Sequence, residues 1–281
     1  MGALARTTTA LAKSGRGWTL AIAVASGSLL GAACSMAPPT TSPTIQSSPA
    51  PSSTTTTTPP TTTTYTLYFL RGSYLGAAHR AGPATTSIAT ATLEALVGGP
   101  SSSEVGAGLS SAIPPATRLL GIRMTSGTAT VDFSAAFGTA GTPRNELARV
   151  AQVVYTLTLF PSVKHVAFEI SGATPSTFGS GAVSLQKPLG RTEVLGALPT
   201  ILVERPAVGD SLHGSVHLSG SANVFEAQFN VQLVDGDGKV LLDAPVQATA
   251  GSGQWGSSRR YGSGGPRLPS GGVGCRAPRG D

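Results

Sequence analysis

RVAQVVYTLTLFPSVKHVAFEISG, residues 149–172, changes period halfway. Its first half puts Val150, Ala151, Val154 and Thr158 on one helical stripe, which Leu147 extends upstream. Its second half alternates, with Val166, Phe168 and Ile170 on one side. Pro161 separates the two, because a proline cannot continue the helical hydrogen-bond ladder. Upstream, Thr142 is placed to cap a helix, Pro143 suits its first position, and Glu146 puts negative charge in the first turn. The spacing therefore predicts a helix over 143–160 and a strand over 163–171.

Working outward, 117–126 reads as a strand with Leu120, Ile122 and Met124 on one face. Ser126-Gly127 turns the chain into a hairpin partner over 128–133, with Val131 and Phe133 inward. Residues 86–97 form a helical pattern with Ile88, Ala91, Ala95 and Leu96 on one face, stopped by Gly98-Gly99-Pro100. A polar connection with Glu104 follows, and 65–71 (YTLYFLR) alternates as a strand. The predicted order over 65–190 is β-α-β-β-α-β, an α+β sandwich of one sheet and two helices.

Three stretches carry a resemblance: LEALVGGPSSSEVGAGLSSAIPP (93–115), VDFSAAF (131–137) and the 149–172 segment. Together they resemble the GerMN domain, the sporulation and germination module of bacterial envelope proteins. Arg149, Gln152, Tyr155, Thr156, Leu157, Thr158, Phe160 and Pro161 match its pattern. The resemblance implies a small fold like the ring-building motif of secretion and sporulation complexes, assembling protein against protein, with no catalytic residue set. Arg149, Gln152 and Thr156 recur at helical spacing, and with Tyr155 and Glu104 they are candidates for partner contact or for a structural role.

Residues 191–256 read as short strands without a helix, a small β-sandwich. Strands are predicted over 200–204, 215–219, 225–234 and 239–243, the last two joined by Asp235-Gly236-Asp237-Gly238. GSANVFEAQFNVQLVDGDGKVL (220–241) and ATAGSGQW (248–255) resemble the immunoglobulin-like domain of bacterial spore germination, with Ala222-Asn223-Val224-Phe225-Glu226-Ala227 intact. Beyond Gly256 the alternation stops and Gly, Pro and Arg dominate. The sandwich is thus expected to be incomplete, and 257–281 to be a disordered basic tail or the product of a reading-frame shift.

At the other end, residues 1–17 carry three positive charges, 18–30 (WTLAIAVASGSLL) are mostly apolar, and small residues precede Cys34. This is the layout of a secretory signal over 1–33. LLGAAC (29–34) resembles a bacterial lipobox with Gly31 where leucine is usual, so Cys34 is the expected lipidation site. Residues 35–64 hold 25 Ser, Thr or Pro in 30 positions and no charge, a composition that cannot repay the entropy of folding. With Cys34 they are expected to form a lipid-anchored tether over 34–64.

The formal charge of +6 comes from the two ends. Residues 34–256 hold 11 basic and 12 acidic side chains, and no basic stripe is present to neutralise phosphates, which argues against a nucleic-acid partner. His213 and His217 lack a third ligand, and the Asp235 loop has Val246 where a calcium loop needs Glu. No cofactor or metal is expected. Glu94, Glu104, Asp132 and Glu169 are acids whose pairing the sequence leaves open. The reading is a non-catalytic, exported lipoprotein on the outer face of the membrane, extending into the cell wall. Its partners would be other envelope proteins or further copies of itself; the alternative is a module for wall glycan or a small ligand.

Overall fold

The computed structural model describes residues 62–212 and 216–262. The expected signal peptide, Cys34, His213 and residues 263–281 lie outside the described residues, as does the expected tether except for its last three positions, which belong to the first strand.

That strand, β1 (Thr62–Arg71), pairs antiparallel along its whole length with β2 (Tyr74–Pro83). Gly72 at φ +62° makes the tight turn between them, a conformation that disfavours any residue with a Cβ. The expectation had no strand over 74–83. YLGAAHRAGP contains two glycines and a proline and lacks alternation, and it pairs through its backbone rather than through apolar side chains. Helix α1 (Ile88–Val97) follows, then the one-turn helix α2 (Ser102–Gly106) and β3 (Leu109–Ser110), which joins the other edge of β1. On α1 the fully buried leucines are Leu93 and Leu96, while Ile88, Ala91 and Ala95 pack only partly.

β4 (Leu119–Thr125) and β5 (Thr128–Phe133) form the predicted hairpin. β6 (His165–Ile170) lies parallel to β5, and α3 (Pro143–Leu157) is the crossover that parallel pairing requires. The strands thus divide between two three-stranded sheets, β2-β1-β3 and β4-β5-β6, in place of the single sheet expected. In β4 a bulge between Leu119 and Gly121 moves Leu120 off the inner face, leaving it 54% exposed; Met124 is 46% exposed, and only Ile122 of the predicted face packs on the core.

α3 is the pillar of this module. Thr142 Oγ1 caps it by accepting from Asn145 N at 3.2 Å. Val150, Ala151, Val153, Val154 and Leu157 are all fully buried, so the helix is surrounded rather than amphipathic. Phe133 stacks on Phe137 at 4.1 Å between ring centroids, and Phe137 on Phe168 at 6.0 Å.

A two-residue pair, β7 (Thr177–Phe178) and β8 (Val183–Ser184), precedes a 3-10 segment, Thr192–Ala197, that packs on α3. Val194, Ala197, Leu198, Leu202 and Ala207 all belong to the first module's core, so the expected boundary at residue 191 falls inside a packed region. The described residues lie in one compact unit, Thr57–Asp281.

The second module has β9 (Ile201–Arg205), β10 (Val216–Ala222) and β13 (Gly256–Gly262) in one sheet, order β13-β10-β9, and the hairpin β11 (Gln228–Val234)–β12 (Val240–Gln247) as the other. Its own cluster of buried residues is three alanines, Ala222, Ala227 and Ala248. β13 corrects the expectation that order ends at Gly256: residues 256–262 pair with β10 throughout. Ladder bonds are made by the backbone, so GSSRRYG can form an edge strand without apolar alternation. Phe225, expected at the start of a strand, begins a 3-10 turn and is 77% exposed.

Candidate functional site

The four helix candidates fasten α3 to everything around it. Arg149 Nε donates to Ala112 O at 3.0 Å, and Nη1 donates to Phe137 O at 2.6 Å and Thr139 O at 2.8 Å. Gln152 Oε1 accepts from Ala112 N at 2.8 Å, while its Nε2 donates to Tyr68 O at 3.2 Å and Ser111 Oγ at 3.3 Å. Thr156 Oγ1 accepts from Tyr68 N at 3.2 Å. All three are buried, and each satisfies a backbone group that would otherwise be orphaned. Their role in this geometry is internal, and none presents a surface to a partner.

Glu104 is equally committed. It closes a capping box with Ser101, whose N donates to Glu104 Oε2 at 2.6 Å, and it pairs with Arg80. Arg80 also donates to Ala95 O at 3.1 Å and Gly99 O at 3.0 Å, so it ties the end of α1 to the loop. Burial raises the Glu104 pKa, but hydrogen bonds from Arg80 and Ser101 outweigh it, and the carboxyl sits below the usual range.

Glu146 is a buried carboxylate that the sequence marked only as a first-turn charge. Its Oε1 accepts from Gly141 N and Ser180 N, both at 2.8 Å, and its Oε2 from Ser180 Oγ at 2.7 Å. Here too burial opposes ionisation and the donors from Gly141 and Ser180 outweigh it, lowering the pKa.

Tyr155 belongs to the junction between the modules. Its ring meets Tyr68 edge-on at 5.3 Å, and the Arg191 guanidinium lies 4.5 Å from its centroid. Burial pushes its hydroxyl up to about 12. Arg191 donates to Thr158 Oγ1 at 2.9 Å and Tyr155 O at 3.3 Å, and reaches Glu204 of β9 at 3.4 Å; Tyr68 also donates to Glu204. Further along, His79 Nδ1 lies 2.6 Å from Asp210 Oδ1, and His79 N donates to Val208 O at 2.7 Å. Arg191, Glu204, His79 and Asp210 carried no local signal, because their partners lie far away in sequence.

Among the described residues no three of His, Cys, Asp or Glu converge as a metal group, and no helix is long and apolar enough to cross a membrane. Asp132 and Glu169 are register neighbours in β5 and β6, but Asp132 accepts from Gly172 N at 3.0 Å and Glu169 pairs with Arg123 at 2.6 Å. Asp235 Oδ1 accepts from Asp237 N at 3.0 Å and Lys239 N at 2.9 Å, closing the β11–β12 turn.

Two surface features remain. One is a cleft of about 770 Å³ bounded by α1, α2 and the approach to β4, lined by apolar side chains such as Val97, Val105 and Leu109 together with Glu94, Thr117 and Arg118. The other is Phe225.

The fold therefore defines a two-module chain, an α+β unit fused to a small β-sandwich. Residues 66–175 match the Germane family, described as sporulation and spore germination, and residues 200–259 match Gmad2, the immunoglobulin-like domain of bacterial spore germination. The chain carries one domain of each of these families. No curated protein sequence matches it significantly. Among solved structures it is similar to the first GerMN domain of the sporulation protein GerM from Bacillus subtilis, at 28% identity over 46% of this chain and 98% of that one, with a TM-score of 0.41. It is also similar to the tandem GerMN domains of that protein, at 22% identity over 66% of this chain, with a TM-score of 0.43; it spans 60% of that chain.

Proposed function

We propose that the protein is a non-catalytic cell-envelope lipoprotein that presents two protein-interaction or assembly modules of the sporulation and germination type on the outer face of the membrane. The observation that carries this reading is the division of labour among the polar groups. Arg149, Gln152, Thr156, Glu104 and Glu146 all bind inside the protein and make a rigid scaffold. Large apolar side chains are left exposed on that scaffold, among them Val105, 56% exposed in the cleft lining, and Phe225. Apolar surface held on a rigid frame suits protein docking. The charged, apolar and small-residue run before Cys34 supports export and anchoring.

In-cell crosslinking of the tagged full-length protein, followed by mass spectrometry of the envelope fraction, tests this. A defined protein partner, crosslinked to the two modules, is expected. Cys34→Ser is expected to release the protein from the membrane fraction; retention would sink the anchoring part. The cleft also favours a second reading, wall-glycan or small-ligand binding. Recovery of glycan with no specific protein would establish that reading instead.

A further inference from the structure

We propose that Phe225 and Glu226 of one copy insert into the α1–α2–β4 cleft of a second copy, so that the chain associates head to tail. The inference rests on the interaction-module reading above and specifies its partner.

The first observation is how Phe225 is held. Its two successors, Glu226 and Ala227, both adopt left-handed backbone, φ +53° and +59°, and Ser252 on the facing loop does the same at +54°. None is glycine, so each is strained, and such strain persists only where the surroundings over-determine it. The surroundings do so here. Ser252 N donates to Val224 O at 2.8 Å, and Ser252 Oγ accepts from Glu226 N at 3.1 Å. Asn223 Oδ1 accepts from Gly253 N at 3.0 Å, and Gln247 Nε2 donates to Glu226 O at 3.3 Å. A Cβ at Gly251 would lie 2.3 Å from Val224 O, so the two loops approach closely. Continued as a strand, the alternating sequence would offer Phe225 to the sandwich core. The turn instead projects it into solvent, beside a Glu226 carboxylate that has no partner among the described residues.

The second observation is a receptor of matching chemistry on the same chain. The cleft offers Val97, Val105, Leu109, Ile113 and Leu119 beside Ser110, Ser111 and Thr117, with ample volume for a benzyl group. Arg118 is exposed in the lining, its guanidinium unpaired among the described residues, since only its backbone is engaged: its N donates to Ser134 Oγ and its carbonyl accepts from Ser134 N. Glu94 lies at the α1 side, so the acidic neighbour of an inserted phenylalanine is directed to the Arg118 side. Phe225 does not line the cleft of its own chain, so the pairing runs between copies. Knob and cleft are different surfaces, so the contact is heterologous and propagates into rings or open chains rather than closing as a two-fold dimer.

The test places a photocrosslinking phenylalanine analogue at position 225 of the full-length protein in its envelope, beside a differently tagged unmodified copy. Expected are copy-to-copy crosslinks that map to residues 94–119. Crosslinks to other envelope proteins alone would overturn the proposal and leave the interaction-module reading standing; no protein crosslink at all would count against both. Charge reversal gives the second arm. Glu226→Arg and Arg118→Glu should each lower the copy-to-copy yield about tenfold, and the two together should restore it to within about twofold. Thermal unfolding checks that each variant is folded. Single losses without rescue by the pair would overturn the assignment.

Discussion

The two modules differ in what holds them together. The first has a continuous core from β1 through α3 to β6, with Tyr68, Phe69, Phe133, Phe137 and Phe168 nearly or wholly buried. The second has a cluster of three buried alanines, and its opening strand packs into the first module's core. A residue buried in the first module is locked by many neighbours. The second buries fewer large side chains, Leu233 and Val246 of its hairpin among them, and is tied to the first through Arg191, Glu204, His79 and Asp210. The lesson is that a matched domain need not be an independent body.

The sharpest attempt to break this contrast is Arg149→Ala. It leaves the carbonyls of Ala112, Phe137 and Thr139 without their donor in a buried setting. A loss of about 3–5 kcal/mol is expected, read in urea unfolding, with both modules melting together because the second leans on the first. Gly209→Ala probes the junction alone. Its Cβ would lie 2.1 Å from His79 O at a backbone φ of +100°. A loss of about 2 kcal/mol should appear as early proteolysis between residues 199 and 215, and the first module's transition should fall with it, because Leu202 and Ala207 sit in its core.

Acid should separate the modules next. Glu104 and Glu146 have folded pKa values below the unfolded one, so their stabilisation is present above the unfolded value and is lost as pH falls through the folded one. The first module should therefore weaken below about pH 4.5. Glu146→Gln should be less stable than the parent at pH 7, with the gap narrowing by pH 3 in thermal melts. The smallest effect is expected from Thr117→Val. Thr117 Oγ1 is buried and has no hydrogen-bond partner, so stability should stay within about 0.5 kcal/mol of the parent or rise.

The legible parts of the fold were those set by local periodicity. The α3 cap at Thr142, the β4–β5 hairpin and the inward Val131, Phe133 and Phe168 all follow from spacing. The illegible parts depend on backbone events or distant partners. A bulge at Leu119–Gly121 turned Leu120 outward, and a strained turn did the same to Phe225. β2 and β13 pair through main-chain groups, which leave no apolar signature. Among site residues, Glu104 read as a loop acid although SSSE (101–104) has the local spacing of a capping box; only its pairing with Arg80, 24 residues earlier, left no local sign. The junction was invisible for the same reason, with Tyr68 and Glu204 136 residues apart.

The placement of Leu202 and Ala207 in the first core bears on synthesis. When residue 175 leaves the ribosome, the whole Germane match is available, yet part of the surface that buries it is not. About thirty more residues must emerge, roughly 2–6 s at ordinary elongation rates. During that interval the nascent chain carries α3 with part of its covering missing, a window in which a chaperone or translocation factor meets it before its own partner segment does.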